Sequence, residues 1–100
     1  MGEERFGYED LEVWQKAIEW ASEIAYLGDN LDMERKHFRL IEQLESASSS
    51  VAANIAEGKG RYSKREFAQF LYVARGSLYE TLTLLEIFAR RNWITEDKFK

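Results

Sequence analysis

Apolar positions along the chain recur every three or four residues in three separate stretches, the signature of amphipathic helices. The first stretch carries Leu11, Trp14, Ile18, Ala21 and Ala25, with Ala17, Ile24 and Leu27 widening the stripe. Asp10 stands at its start as an N-cap, and Gly28-Asp29-Asn30 ends it in turn residues. The second helix is predicted to start near Asp32, with Phe38, Ile41, Leu44, Ser48, Val51 and Ile55 facing inward and Gly58-Lys59-Gly60 closing it. Ala47, Ser49, Ser50 and Ala52 make its middle small, so another helix can approach closely there. Ser63-Lys64-Arg65-Glu66 reads as a capping box that opens the third helix.

Phe67, Leu71, Ala74, Leu78, Thr81, Leu85 and Phe88 run along the third helix as an unbroken seam, and Phe70, Leu82, Leu84 and Ile87 add a second apolar flank. A helix apolar on two sides must bury more than one face. It is either the central helix of the bundle or part of a subunit interface. Asn92 ends it, and Thr95-Glu96-Asp97 reads as the cap and acidic first turn of a fourth helix, short or truncated. Short connections make neighbours antiparallel. The expected fold is all-α: an antiparallel up-down four-helix bundle, a single domain over residues 1–100.

Composition narrows the function. The chain has neither Cys nor Pro, which excludes disulfides and thiolate metal sites and favours helix. Its net charge of -4 disfavours non-specific binding to nucleic acid. That charge is unevenly spread: residues 1–34 carry ten acids against Arg5 and Lys16, whereas residues 35–100 carry twelve bases against eight acids. No apolar run is long enough to cross a membrane and the first ten residues lack the apolar core of a signal peptide. The expected location is cytoplasmic.

Nothing resembles a catalytic centre. His37 is the only histidine and has no partner at metal-ligand spacing. The serines lack a neighbouring base, and there is no phosphate-binding glycine loop. The reading is therefore non-enzymatic, with no metal, no cofactor and no evident small-molecule substrate. Three groups of residues stand out instead. Lys59, Arg61, Lys64 and Arg65, with Tyr62 among them, form a basic helix-helix turn that could hold phosphates while Tyr62 stacks on a base; such a run is more often a solvated loop. Asn54 and Glu57 share a helical face beside Gly58 and serve either a polar contact site or, the preferred reading, the stabilisation of that turn. Arg75, Gly76, Ser77 and Glu80 interrupt an apolar helix; because glycine in mid-helix is costly, close helix packing within or between subunits is the preferred reading, with an ion pair or RNA contact by Arg75 as the alternative. Trp20 falls off the main stripe, and an excess of Trp and Tyr favours a protein interface.

The run Asn54-Ile55-Ala56-Glu57-Gly58, followed by Gly60-Arg61, Ser63, Glu66-Phe67, Phe70-Leu71, Ala74-Arg75-Gly76-Ser77, Glu80 and Leu85, together with Leu11-Glu12-Val13-Trp14-Gln15-Lys16-Ala17, resembles the 23S rRNA intervening-sequence (S23-like) proteins, to which accessory proteins of diversity-generating retroelements are similar. The resemblance implies a four-helix bundle that assembles into a ring, commonly a pentamer, and contact with RNA or a nucleic-acid enzyme. The family tends to have Pro where Ala52 stands, so the second helix is expected to run unkinked. It often has Arg after the Gln-Leu of that helix, where Glu45 follows Gln43-Leu44 here. The leading reading is a homo-oligomeric helical scaffold that acts by binding, with Phe70, Arg75, Gly76, Tyr79 and Glu80 at subunit contacts. The alternative is an RNA- or DNA-binding accessory protein working through the basic turn.

Overall fold

A computed structural model describes residues 7–29 and 38–94. Among them are three α-helices and no strand: α1 (Glu12–Asp29), α2 (Phe38–Lys59) and α3 (Lys64–Arg90), preceded by one 3-10 turn at Gly7–Asp10. The predicted helix start near Asp32, His37 and the predicted fourth helix from Thr95 lie outside the described residues.

The capping details follow from local chemistry. Asp10 belongs to the 3-10 turn, and the carbonyl of Leu11 accepts the first bond of α1, from the Gln15 amide at 3.0 Å. Leu11 rather than Asp10 is thus the residue at the cap position. Ser63 caps α3 as its sequence predicts: its hydroxyl accepts from the Glu66 amide at 3.1 Å. At the far end Asn92 takes a left-handed conformation, φ 62°. The Asn92 and Trp93 amides then donate back to the Ala89 and Phe88 carbonyls. This is the Schellman pattern. Its usual apolar contact is present, the Trp93 ring meeting Phe88 edge-on at 5.1 Å.

Two close approaches fix the helix directions. A Cβ on Gly28, near the end of α1, would stand 3.3 Å from the Ile41 side chain, near the start of α2. A Cβ on Gly58, at the end of α2, would meet Phe67 and Phe70, near the start of α3. Each pair is therefore antiparallel. The second helix is the middle element: α2 packs against both neighbours, while α1 and α3 scarcely approach each other. It runs unbroken from Phe38 to Lys59.

Burial corrects several sequence assignments. On α1 the buried residues are Ala17, Ile24 and Leu27, whereas Ile18 and Ala25 are exposed. The inward face is rotated towards Trp20, which packs against both core clusters. One cluster joins Ile24, Leu44, Leu84, Leu85 and Phe88 near the α3 C-terminus; the other joins Ala17, Val51, Ile55 and Ala74. Trp20 therefore contributes to the core, and it stays half-buried. Phe38, assigned to the inner face of α2, is exposed. Leu84, assigned to the outer flank of α3, is buried.

Two buried polar residues sit in this core, Ser48 and Thr81. Both satisfy themselves on their own helix: Ser48 Oγ donates to the Glu45 carbonyl at 3.1 Å and Thr81 Oγ1 to the Ser77 carbonyl at 2.8 Å. Among the described residues no buried side-chain polar atom lacks a partner, so the core carries no desolvation penalty from that source.

Candidate interaction surfaces

The outer face of α3 is an exposed, largely apolar feature of the described residues. Leu71, Tyr72, Val73, Tyr79, Leu82 and Ile87 are all exposed on this one helix. Among the described helices α3 packs mainly on α2, and its buried residues Ala74, Thr81, Leu84, Leu85 and Phe88 occupy its inner side, away from this face. Arg75 lies across this face, its guanidinium carbon 5.2 Å from the ring centre of Tyr72 and 6.0 Å from that of Tyr79. Such stacking holds a long, rotamer-rich side chain in place. Arg75 is exposed, so it forms no buried ion pair among the described residues of its own chain.

Gly76 lies in the middle of the same face, with nothing within 4 Å of where its Cβ would be. Close packing inside the subunit, one of the two expectations for this glycine, is thereby corrected: no described helix packs against it. Gly58 is the glycine that fills that role, buried against α3. Phe70, predicted to face a neighbouring subunit, is half-buried beside Gly58, and the Arg61 guanidinium covers its ring at 4.9 Å. Its apolar surface is used within the chain.

The basic turn joins α2 to α3. Lys59 reaches over the Phe67 ring at 5.9 Å, and Arg61 over Phe70. Lys64 and Arg65 occupy the first turn of α3 and are exposed. Tyr62 projects wholly into solvent, more exposed than in an extended reference chain. The 3-10 turn comes close to this pole, as Gly7 lies against the Lys59 stem.

Asn54 does not reach the turn. Its amide donates back to the Ser50 carbonyl at 2.8 Å and to Ser50 Oγ at 2.9 Å. Ser50 Oγ also accepts from Ser77 Oγ of α3 at 3.0 Å. The preferred role of Asn54 in capping is therefore corrected to a half-buried polar link between α2 and α3. The turn itself is closed by backbone bonds, the Gly60 amide donating to the Ala56 and Glu57 carbonyls, both at 3.2 Å, and the Arg61 amide to the Gly58 carbonyl at 3.1 Å. Glu57 is exposed. Ser50 was the residue missed, though its four-residue spacing from Asn54 was a legible signal.

A largely apolar hollow is lined by Val13, Lys16, Ala17 and Trp20 of α1, Val51 and Ile55 of α2 and Leu78 of α3. It lies where α1 and α3 splay apart over α2. Among the described residues no group of acids and histidines could hold a metal ion. Nor is any described helix long and apolar enough to cross a membrane.

The described helices form a small platform with two exposed apolar surfaces, the outer face of α3 and the hollow between α1 and α3. No curated protein matches the sequence. The model of one family, 23S rRNA-intervening sequence protein, matches residues 9–100. The chain belongs to the 23S rRNA-intervening sequence protein family.

Proposed function

We propose that the protein is a non-enzymatic, cytoplasmic homo-oligomeric scaffold that acts by binding, and that α3 supplies its subunit contact. One observation carries this reading: Tyr72, Val73, Tyr79, Leu82 and Ile87 are each at least 40% exposed along one helix. So many exposed apolar side chains on one helix mark an interaction surface. We infer further that the fourth helix read from Thr95-Glu96-Asp97, short or truncated, makes the bundle four-helical. The ring, commonly a pentamer, that the family resemblance implies is one assembly such a contact could build. Light scattering coupled to size exclusion at micromolar concentration tests the scaffold. A multiple of the 11.8 kDa chain mass is expected; a single-chain mass overturns it. Leu82→Asp is expected to lower the assembled fraction.

A second reading is RNA or DNA binding at the basic turn. Lys64 and Arg65 favour it, because they occupy the first turn of α3, where the helix macrodipole favours acids and repels cations. A bound phosphate would relieve that conflict. A gel shift with structured RNA across a salt series tests it. Binding that survives K64E/R65E unchanged overturns the assignment of the turn.

A further inference from the structure

Positions seven apart line up along the outer face of α3, and the row through Gly76 is bounded by Gln69 before it and Glu86 after it. Tyr72, Gly76, Tyr79 and Thr83 form its central row, spaced four, three and four residues apart, and all are exposed. That alternation lets one helix pack along another over several turns. Ala68, Arg75 and Leu82 stand on one flank of the row and Val73, Glu80 and Ile87 on the other; all six are exposed.

Direction decides which flanks meet. In two parallel helices, a residue on the first flank of one meets the residue five positions later on the second flank of its neighbour. Here that rule gives Ala68 with Val73, Arg75 with Glu80, and Leu82 with Ile87. The result is an ion pair between two apolar pairs. In an antiparallel pair each flank meets itself. Glu80 would then face only Glu66, Val73, Glu80 and Ile87, with no cation among them. Charge and apolarity therefore fit one direction.

We propose that α3 of one copy lies parallel to α3 of a second copy, with Arg75 of each paired with Glu80 of its neighbour across a seam centred on Gly76. This rests on the homo-oligomer reading and specifies its contact. Gly76 removes one rung from the central row, which leaves room for the Tyr72 and Tyr79 rings of both copies. The stacking of Arg75 on those two tyrosines holds the cation at the edge of the seam before the neighbour arrives. The arrangement suits any rotational assembly in which the α3 helices run side by side.

Charge exchange tests it. Positions five apart on one helix point roughly 140° away from each other, so Arg75 and Glu80 cannot pair within their own helix, and any rescue reads a contact between copies. Arg75→Glu and Glu80→Arg are each expected to weaken self-association by more than about tenfold in sedimentation or light scattering, since like charges then face each other. The double variant R75E/E80R is expected to regain the wild-type mass. An equimolar mixture of the two single variants is expected to reassociate, as each supplies what the other lacks. Circular dichroism on each sample confirms that these exposed substitutions leave the helices intact. If the wild type assembles and the single variants assemble equally well, or if the double variant stays as dissociated as the single ones, the seam is wrong while the scaffold reading stands. A wild-type chain that stays single removes both.

Discussion

Gly58 and Phe70 bring α2 and α3 into close approach: a Cβ added to Gly58 would lie 2.7 Å from that of Phe70 and 2.9 Å from Cδ1 of Phe67. Neither neighbour yields easily. Phe70 Cβ is fixed by the α3 backbone, and the Phe67 carbonyl stands 3.3 Å away on a third side. Gly58→Ala should therefore push the helices apart and destabilise the fold by about 1–3 kcal/mol, the range of overpacking substitutions. Urea denaturation at a concentration where the wild type is fully folded measures this; a midpoint unchanged from wild type would contradict the close approach.

Gly76 predicts the opposite sign. Its backbone is not left-handed and the space around it is open, so Gly76→Ala removes only the helix penalty of glycine. Stability of the dissociated chain should rise by up to about 1 kcal/mol, or several degrees in Tm for a chain of this size. Self-association should weaken at the same time, because the methyl group enters the proposed seam. A variant that melts higher in dilute solution yet assembles less is the signature sought. One that melts higher and assembles equally well would place the subunit contact elsewhere.

These two glycines also mark what the sequence made legible. Three helices could be located from periodicity, and the Ser63 and Asn92 ends of α3 follow from side-chain chemistry. Gly58 looked like a helix end and Gly76 like an interruption, but a glycine carries no record of which neighbour lies opposite. Only coordinates separate the close contact at Gly58 from the open space at Gly76. The face of α1 was misread for a related reason. Ala17, Ala21 and Ala25 weigh equally in a periodic count, so the stripe could be centred on Ile18 or on Trp20. The volume of Trp20, able to span both core clusters, decided the rotation.

Trp20 gives a direct check of that rotation. Because it bridges the two clusters, Trp20→Ala should cost about 3 kcal/mol, the lower end for removal of a core aromatic, since the ring is only half-buried. Ile18→Ala, on the exposed side, should cost about 1 kcal/mol or less. Thermal denaturation of both variants reads the difference, and equal losses would return the core to the Ile18 side.

The left-handed turn at Asn92 separates two substitutions at one position. Glycine enters that conformation without penalty, so Asn92→Gly should leave stability within about 0.5 kcal/mol of wild type. Asn92→Val places a β-branched side chain where φ is 62° and should cost about 1–2 kcal/mol. The loss should also reach the Phe88–Trp93 contact that the turn creates, so tryptophan fluorescence is expected to shift towards solvent in the valine variant alone.

Ser50 is the hub of the link between α2 and α3, accepting from both Asn54 and Ser77. Asn54 keeps a second bond, to the Ser50 carbonyl, when the hydroxyl is removed. Ser77 Oγ has no such fallback on Ser50. Ser50→Ala should thus cost about 1 kcal/mol, mainly by stranding Ser77 in a half-buried site. In the double variant S50A/S77A both polar ends of that bond are gone, so the second substitution should add less than Ser77→Ala costs alone. A double-mutant cycle by urea denaturation measures the coupling. Strict additivity would mean that the hydroxyls prefer water to each other, and that the middle of this helix pair is held by Val51, Ile55 and Ala74 alone.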